Sequence, residues 1–278
     1  GVQAAVGFLA LAGISFMIDL ALSTNTILPA RFYGSEQEYR LYNITSMAFF
    51  QLSAFYLLLL NFLLAYNEKH NSMPSIFLFL LLCIGLISGR SFLIFSFISI
   101  ALYFKWRYIP ALVAFAGLCL FLAMNYATNP YVEHALEPLI NLLQHKDSLS
   151  SSSDNLLENH LYMPQLKQIL IGDGYFYDPK GGYYGKTDSG FLRQTLYGGI
   201  LYLTACFLFT AYFVRRIAQN WFNGSWKFML STLLILSILH VKADTYAFPG
   251  IMLILLMFLS LFGTSGKIKV FFFNQGQK

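Results

Sequence analysis

Charged side chains stand at the ends of several long apolar stretches, where a charge is costly and rarely kept without a task. Arg90 interrupts Leu86-Ile87-Ser88-Gly89-Arg90-Ser91, between the apolar runs 74–89 and 91–104. A guanidinium there can grip a phosphate or pyrophosphate with its planar fork of donors; the other reading is that it snorkels outward from a helix end. Arg193 lies five residues into the run 189–214, about one turn deep, and Asp188 stands just before that run. Asp188 reads either as the cap of the helix or as a general base that deprotonates a sugar hydroxyl. Lys242 and Asp244 follow the run 228–241. Lys242 is a further cation for an anionic lipid headgroup, or the two residues form a local turn ahead of Pro249. His160 can titrate near neutrality or be an ordinary surface histidine. Arg31 and Arg40 sit among tyrosines in Arg31-Phe32-Tyr33-Gly34-Ser35-Glu36-Gln37-Glu38-Tyr39-Arg40, a stretch that suits sugar stacking or an interfacial aromatic belt.

The elements that must position these groups are apolar helices. Of the 278 residues, 57% are hydrophobic and 11% charged, against roughly 25% charged in soluble domains. Eight runs, at 4–22, 46–66, 74–89, 91–104, 108–127, 189–214, 228–241 and 247–263, are separated by polar breaks. A backbone in lipid must satisfy its own hydrogen bonds, so the runs predict an all-α, polytopic transmembrane bundle of about eight helices. The runs 74–89 and 91–104 are short for a span, which places Arg90 at an early turn inside the protein. With alternating sides, segments 67–73, 105–107, 215–227 and 264–278 hold nine Lys and Arg against the single acid Glu68. The remainder holds nine against twelve acids. That asymmetry puts the basic segments in the cytoplasm and the long polar stretch outside. The expected organisation is five helices over 1–127, a large, partly helical periplasmic loop over 128–188, three helices over 189–263 and a cytoplasmic tail over 264–278. Within the loop, 130–146 reads as an amphipathic surface helix, 148–153 as a serine-rich linker, 156–170 as a second helix and 171–175 as a turn. The chain starts at Gly1 inside an apolar run without the cationic start of a signal peptide, so a fragment with further helices upstream is expected.

Several chemistries are disfavoured. Cys83, Cys119 and Cys206 all lie in apolar runs, which gives neither a disulfide framework nor a thiolate metal site. There is no His-Glu-x-x-His, no phosphate-binding P-loop and no Gly-x-Ser-x-Gly elbow, and no Ser/His/Asp set can be assembled. No basic cluster interleaved with aromatic residues points to nucleic acid. No cofactor or metal is expected. What remains is a set of cations and a possible base at one membrane face, under a large outer loop.

Three stretches resemble the O-antigen polymerase (Wzy-type) and O-antigen ligase superfamily. Leu86-Ile87-Ser88-Gly89-Arg90-Ser91 is similar to the family's Ser-Arg turn between short helices. Leu166-Lys167-Gln168-Ile169-Leu170-Ile171-Gly172-Asp173-Gly174-Tyr175 is similar to the end of its large periplasmic loop. Thr187-Asp188-Ser189-Gly190-Phe191-Leu192-Arg193-Gln194-Thr195-Leu196-Tyr197-Gly198-Gly199-Ile200 resembles the start of the next helix in O-antigen and capsule polymerases. The resemblance covers about 40–263, and Lys242 before the last helix also fits it. It implies a metal-independent glycosyltransferase of the bacterial inner membrane that polymerises undecaprenyl-pyrophosphate-linked repeat units in the periplasm. Its partners would be the lipid-linked donor and acceptor, membrane lipid and a chain-length regulator. Arg90 would match the family's pyrophosphate-binding arginine. Asp188 falls near a histidine of the ligases, a departure that favours polymerase over ligase. On this expectation Asp188, Arg90 and Arg193 are catalytic, and Lys242, Arg31, Arg40, His160, Lys186 and Tyr197 bind substrate. A ligase that transfers glycan to lipid A-core, and a transporter or flippase for lipid-linked sugars, are the alternatives.

Overall fold

A computed structural model describes residues 2–11, 14–22, 50–145, 156–179 and 181–260. They are mostly helical, with an isolated β-bridge and no strands among the described residues. The chain forms two compact units, Gly1–Asn159 and His160–Lys278. The stretch expected as one loop over 128–188 is divided between them. The serine-rich linker lies outside the described residues, as do Arg31, Arg40 and the tail from 261.

The first unit contains α1 (Val2–Leu11), α2 (Ser15–Leu22), α3 (Phe50–His70), α4 (Ser75–Ser88), α5 (Arg90–Leu102), a 3₁₀ turn at Trp106–Tyr108, α6 (Ile109–Asn125) and α7 (Pro130–Leu143). The expected span over 4–22 is thus two short helices. α3 is the buried centre: Leu52, Leu57, Leu60 and Leu64 are fully enclosed. Polar side chains along it meet its neighbours, as suits helices that have no water to bond. Ser53 Oγ donates to the carbonyl of Ser88 (3.0 Å), Ser99 Oγ donates to Asn61 (3.1 Å), and Asn67 donates to the Tyr108 hydroxyl. Lys105 Nζ donates to the Asn67 carbonyl (2.6 Å) near the C-terminal end of α3, where a cation complements the helix dipole. α7 is the amphipathic helix expected over 130–146, with Val132, Leu136 and Ile140 buried.

The second unit contains α8 (Leu166–Ile171), α9 (Gly190–Phe222), α10 (Trp226–His240) and α11 (Pro249–Ser260). The helix expected over 156–170 is instead a π-type turn at Leu156–His160 followed by α8. Pro164 intervenes; it lacks an N–H and disfavours helical geometry in the residue before it. α9 is broken inside its first third, where Gly198 and Gly199 leave helical geometry and Gly199 has φ +70°. A break frees carbonyls that intrahelical N–H groups would otherwise reach. Here the freed carbonyls of Leu196 and Tyr197 accept from the backbone N–H groups of Asp173 (2.7 Å) and Gly174 (3.0 Å). The approach is so close that a Cβ on Gly199 would strike the Leu170 carbonyl, and one on Gly172 would strike that of Tyr197.

Among the described residues, three helical segments are long and apolar enough to cross a membrane: Phe50–His70, Trp106–Asn125 and Gly190–Phe222. Four of the expected spans are shorter apolar helices. At ~1.5 Å per residue, the 14 residues of α4 cover roughly 21 Å of a hydrocarbon core of about 30 Å. The expected count of about eight spans is therefore not supported among the described residues.

Gly199→Ala should be the more damaging of two glycine replacements, because it combines a left-handed backbone with a backbone collision. Gly174 also has positive φ but opens onto free space, so Gly174→Ala should cost only about 1–2 kcal/mol of backbone strain. Thermal unfolding of the detergent-solubilised protein should rank the two variants in that order.

Candidate functional site

The second unit holds a buried polar cluster built from the start of α9 and the segment that joins α10 to α11. Arg193 is on the first turn of α9, where its N–H donates to the carbonyl of Ser189 (2.9 Å). Its side chain does not snorkel. The residue is 6% exposed, and Nη2 lies 2.9 Å from Asp244 Oδ2. The guanidinium also sits 3.5 Å from the ring centroid of Tyr183 and 4.7 Å from that of Phe176. Aromatic faces are favourable neighbours for a buried guanidinium.

Asp244 is held in place by its neighbours. Thr245 donates its backbone N–H to His240 Nδ1 (3.0 Å) and its hydroxyl to the Leu236 carbonyl (2.8 Å). Gln194 Nε2 donates to the Tyr246 carbonyl (2.8 Å), the Tyr246 hydroxyl donates to Ser237 Oγ (2.6 Å), and Ala247 N–H donates to Thr210 Oγ1 (2.8 Å). The segment is thereby fastened to both α9 and α10. The His240 ring stacks on Tyr246 at 4.0 Å and meets the edge of Phe191 at 4.6 Å.

Several polar atoms of this cluster are buried without a hydrogen-bond partner in the protein: Ser189 Oγ, Arg193 Nε, Gln194 Oε1, His240 Nε2 and both carboxylate oxygens of Asp244. The Arg193–Asp244 pair is near enough for strong attraction but is not aligned as a hydrogen bond. Because His240 Nδ1 accepts from a backbone N–H, the neutral ring carries its proton on Nε2. The cluster therefore presents two orphan donors, Arg193 Nε and His240 Nε2, beside orphan acceptors on Asp244 and Gln194. Each such group costs about 1–3 kcal/mol while unsatisfied. Asp244 lies between helices, outside the apolar spans. Burial pushes its carboxyl up to about 6, and the positive charge of Arg193 restrains the rise.

The other expected site residues lie around this cluster or apart from it. Asp188 is not the cap of α9. Ser189 occupies that position, with its side chain making no capping bond. The Asp188 carboxylate is 55% exposed and lies 3.7 Å from His160 Nε2. His160 is oriented from its other nitrogen, which donates to the Lys186 carbonyl (3.0 Å), while Thr187 Oγ1 donates to the His160 carbonyl (2.6 Å). Lys186 adopts φ +52° and lines a surface depression with Asp178, Gly182, Tyr183 and Asp188. Tyr197, 38% exposed, meets the edges of Phe176 and Tyr202. Lys242 closes the last turn of α10 through its backbone N–H, and Asp244, two residues on, is the ion partner of Arg193. From the sequence Asp244 reads as a turn residue, and nothing singles out His240. The available signal was the density of polar residues in His240-Val241-Lys242-Ala243-Asp244-Thr245 between two apolar runs.

In the first unit Arg90 opens α5 directly after Gly89 and is 8% exposed, so it is enclosed by protein. Its guanidinium is ion-paired with Glu137 of α7. Glu137 was not singled out from the sequence, although it sits beside Leu136 on the buried stripe of an amphipathic helix. Among the described residues no group of three or more His, Cys, Asp or Glu could hold a metal ion.

Compared with known proteins, the chain matches no family model, no curated protein and no solved structure.

Between the ordinary aspartate value of 3.8 and about 6, folded Asp244 holds a proton that the unfolded chain has released. Its contribution to stability therefore falls as pH rises through that window, by on the order of 3 kcal/mol. The difference in melting temperature between wild type and Asp244→Asn should change across pH 4–6 in that direction and be flat above pH 7. In the other unit, Glu137→Ala strands a buried cation and should cost about 3–5 kcal/mol. Arg90→Met combined with Glu137→Ala should recover part of that loss in the same unfolding measurement.

Proposed function

We propose that this chain polymerises undecaprenyl-pyrophosphate-linked oligosaccharide repeat units at the periplasmic face of a bacterial inner membrane, as in O-antigen or capsule biosynthesis. In this reading the shorter apolar helices lie in the membrane beside the three long ones, and the described part of the 128–188 stretch faces the periplasm. The observation that carries it is the Arg193 cluster. Two buried N–H donors without an acceptor, on Arg193 and His240, lie at the head of an apolar helix, with the Arg193 guanidinium against the ring of Tyr183. Oxygens of a diphosphate would satisfy both donors, and arginine suits that anion through its charge and its planar fork. The three stretches that resemble O-antigen polymerases give the reading its reaction.

The acceptor sugar hydroxyl attacks the anomeric carbon of the donor glycan. A C–O bond forms, the bond from that carbon to the diphosphate oxygen breaks, and its electron pair leaves with the diphosphate. The proton of the hydroxyl passes to Asp188, whose exposed carboxylate is reachable from the periplasmic side. Arg193 and the His240 Nε2–H stabilise the charge that grows on the departing diphosphate, a role in which fixed donors in a dry site are most effective. Lys242 lies in the same connecting segment as Asp244 and adds positive charge near the headgroup. Arg90 is a second buried cation, in the first unit, and the resemblance assigns it pyrophosphate. Its pairing with Glu137 means that any anion it takes must compete with a carboxylate.

One observation favours a transporter of lipid-linked sugars as the second reading: α9 is interrupted at Gly198–Gly199, and broken helices are frequent in transporters. Purified protein in nanodiscs, supplied with purified lipid-linked repeat units, separates the readings. A ladder of longer glycans on the lipid supports the polymerase. Movement of repeat units between leaflets without any ladder supports the transporter. Arg193→Lys keeps a positive charge beside Asp244 but removes the Nε donor, and polymerisation should fall on the order of 10²–10³-fold. A wild-type ladder from Arg193→Lys and from Arg90→Ala would remove both arginines from the reaction.

A further inference from the structure

Tyr175 and Tyr177, in the segment between α8 and α9, present a surface that the chemistry at Arg193 does not use. Tyr177 and Tyr183 pair across an antiparallel bridge, with ring centroids 5.7 Å apart and planes 26° from parallel. The turn between them is closed by Asp178 N–H donating to the Gly182 carbonyl (2.7 Å) and Gly181 N–H donating to that of Asp178 (2.8 Å). Tyr184 donates its hydroxyl to the Asp173 carboxylate (3.0 Å), which also accepts from Gln168 (2.7 Å). Phe176 meets the edges of Tyr177, Tyr183 and Tyr197. The rings are therefore locked by their neighbours, yet Tyr175 and Tyr177 each remain 60% exposed. A large apolar face held rigid and open to solvent has already lost the side-chain freedom that binding would otherwise cost.

Beside these rings is a depression of about 420 Å³ lined by Asp178, Gly182, Tyr183, Lys186 and Asp188. The side chains around it supply carboxylate acceptors and an ammonium donor, and a Cβ built on Gly181 or Gly182 would meet nothing within 4 Å. A flat apolar face edged by hydrogen-bonding groups complements a sugar ring, which has a C–H face and a rim of hydroxyls. It does not complement a lipid tail, which has no use for the rim.

We infer that the Tyr177–Tyr183 hairpin is a carbohydrate-binding platform, on which a sugar ring of the acceptor glycan lies against Tyr177 with its hydroxyls directed to Asp178, Lys186 and Asp188. The assignment to the acceptor rests on the glycosyltransferase reading, because Asp188 borders the depression and is the base in that reaction. Tyr183 touches both the platform and the Arg193 guanidinium, so a sugar seated on the hairpin is one ring away from the cation of the buried cluster.

The platform is tested without any lipid-linked substrate. Saturation-transfer NMR is recorded on the detergent-solubilised protein with lipid-free di- to tetrasaccharides of glucose, galactose, mannose, rhamnose and N-acetylglucosamine. Transfer to ring C–H protons of at least one of them is expected. Tyr177→Ala should weaken that binding by about tenfold, and Tyr177→Phe, which keeps the ring face, should retain it. Lys69→Ala, at an exposed position in the other unit, should leave it unchanged. No transfer from any of these sugars, or equal transfer in wild type and Tyr177→Ala, overturns the proposal. So does Tyr177→Trp fluorescence that is quenched by brominated lipid and unaffected by sugar, the behaviour of an interfacial aromatic belt. Sugar binding that depends on Tyr177, with no ladder in the polymerisation assay, keeps the platform and removes the polymerase. A ladder without sugar binding does the reverse.

Discussion

The geometry of the second unit depends on two peptide N–H groups reaching two orphaned carbonyls. A helix in an apolar setting cannot leave its backbone unsatisfied, because no water is at hand to accept the loss. Gly198 and Gly199 break α9 one turn beyond Arg193, and the carbonyls of Leu196 and Tyr197 lose their partners along the helix. The N–H groups of Asp173 and Gly174 replace them. That substitution fixes where the end of α8 lies, and with it the start of the tyrosine hairpin. Glycine is needed on both sides of the contact, since at Gly172 and Gly199 a side chain would collide with the opposing backbone. The rings of Phe176 and Tyr183 then arrive over Arg193 as a consequence of a backbone repair a turn away.

Each unit also encloses an arginine, and each is neutralised by a carboxylate. Arg90 is paired with Glu137, a residue of an amphipathic helix distant in sequence. Arg193 is paired with Asp244, but the pair is poorly aligned and several of its polar atoms have no hydrogen bond. Burying two charges costs several kcal/mol per ion unless geometry and further hydrogen bonds are good. The Arg193 cluster falls short on the second condition, while its surroundings are well satisfied: Thr245, Tyr246, Ala247 and Gln194 Nε2 all have partners. The missing hydrogen bonds are thus local to Ser189, Arg193, Gln194, His240 and Asp244.

What could be read from sequence followed the range of the interaction. The helices were legible because apolar runs report burial directly, and six of the eight expected runs became single helices close to their expected limits. The amphipathic helix of Pro130–Leu143 was legible from its periodicity. The number of full crossings was not, because length in residues fixes length in Å and α4, α5, α10 and α11 are short. Arg193 and Arg90 were found as charges in apolar surroundings, but their partners were not. Asp244 and Glu137 are 51 and 47 residues away respectively, as their residue numbers give, and nothing local marks such a pairing. Asp188 looked like a helix cap because acids favour that place, yet the backbone turns one residue later and gives the position to Ser189.

Tyr183 belongs to two environments at once, and this gives the second unit its chemical logic. One contact of its ring is with a buried guanidinium, and the other is with Tyr177 at an exposed surface. A cation held against an aromatic face is attracted to its π-system, so displacing Tyr183 would weaken the setting of Arg193 as well as the hairpin. The hairpin cannot shift far without disturbing the Tyr184–Asp173 bond and the backbone bonds that Asp173 and Gly174 make to the broken helix. A ligand that presses on Tyr177 therefore acts on a rigid train that ends at the break in α9 and at the unsatisfied donors beside it. The exposed ring of Tyr177 and the buried guanidinium of Arg193 share one neighbour, and through that shared contact a displacement of the hairpin reaches the head of the apolar helix.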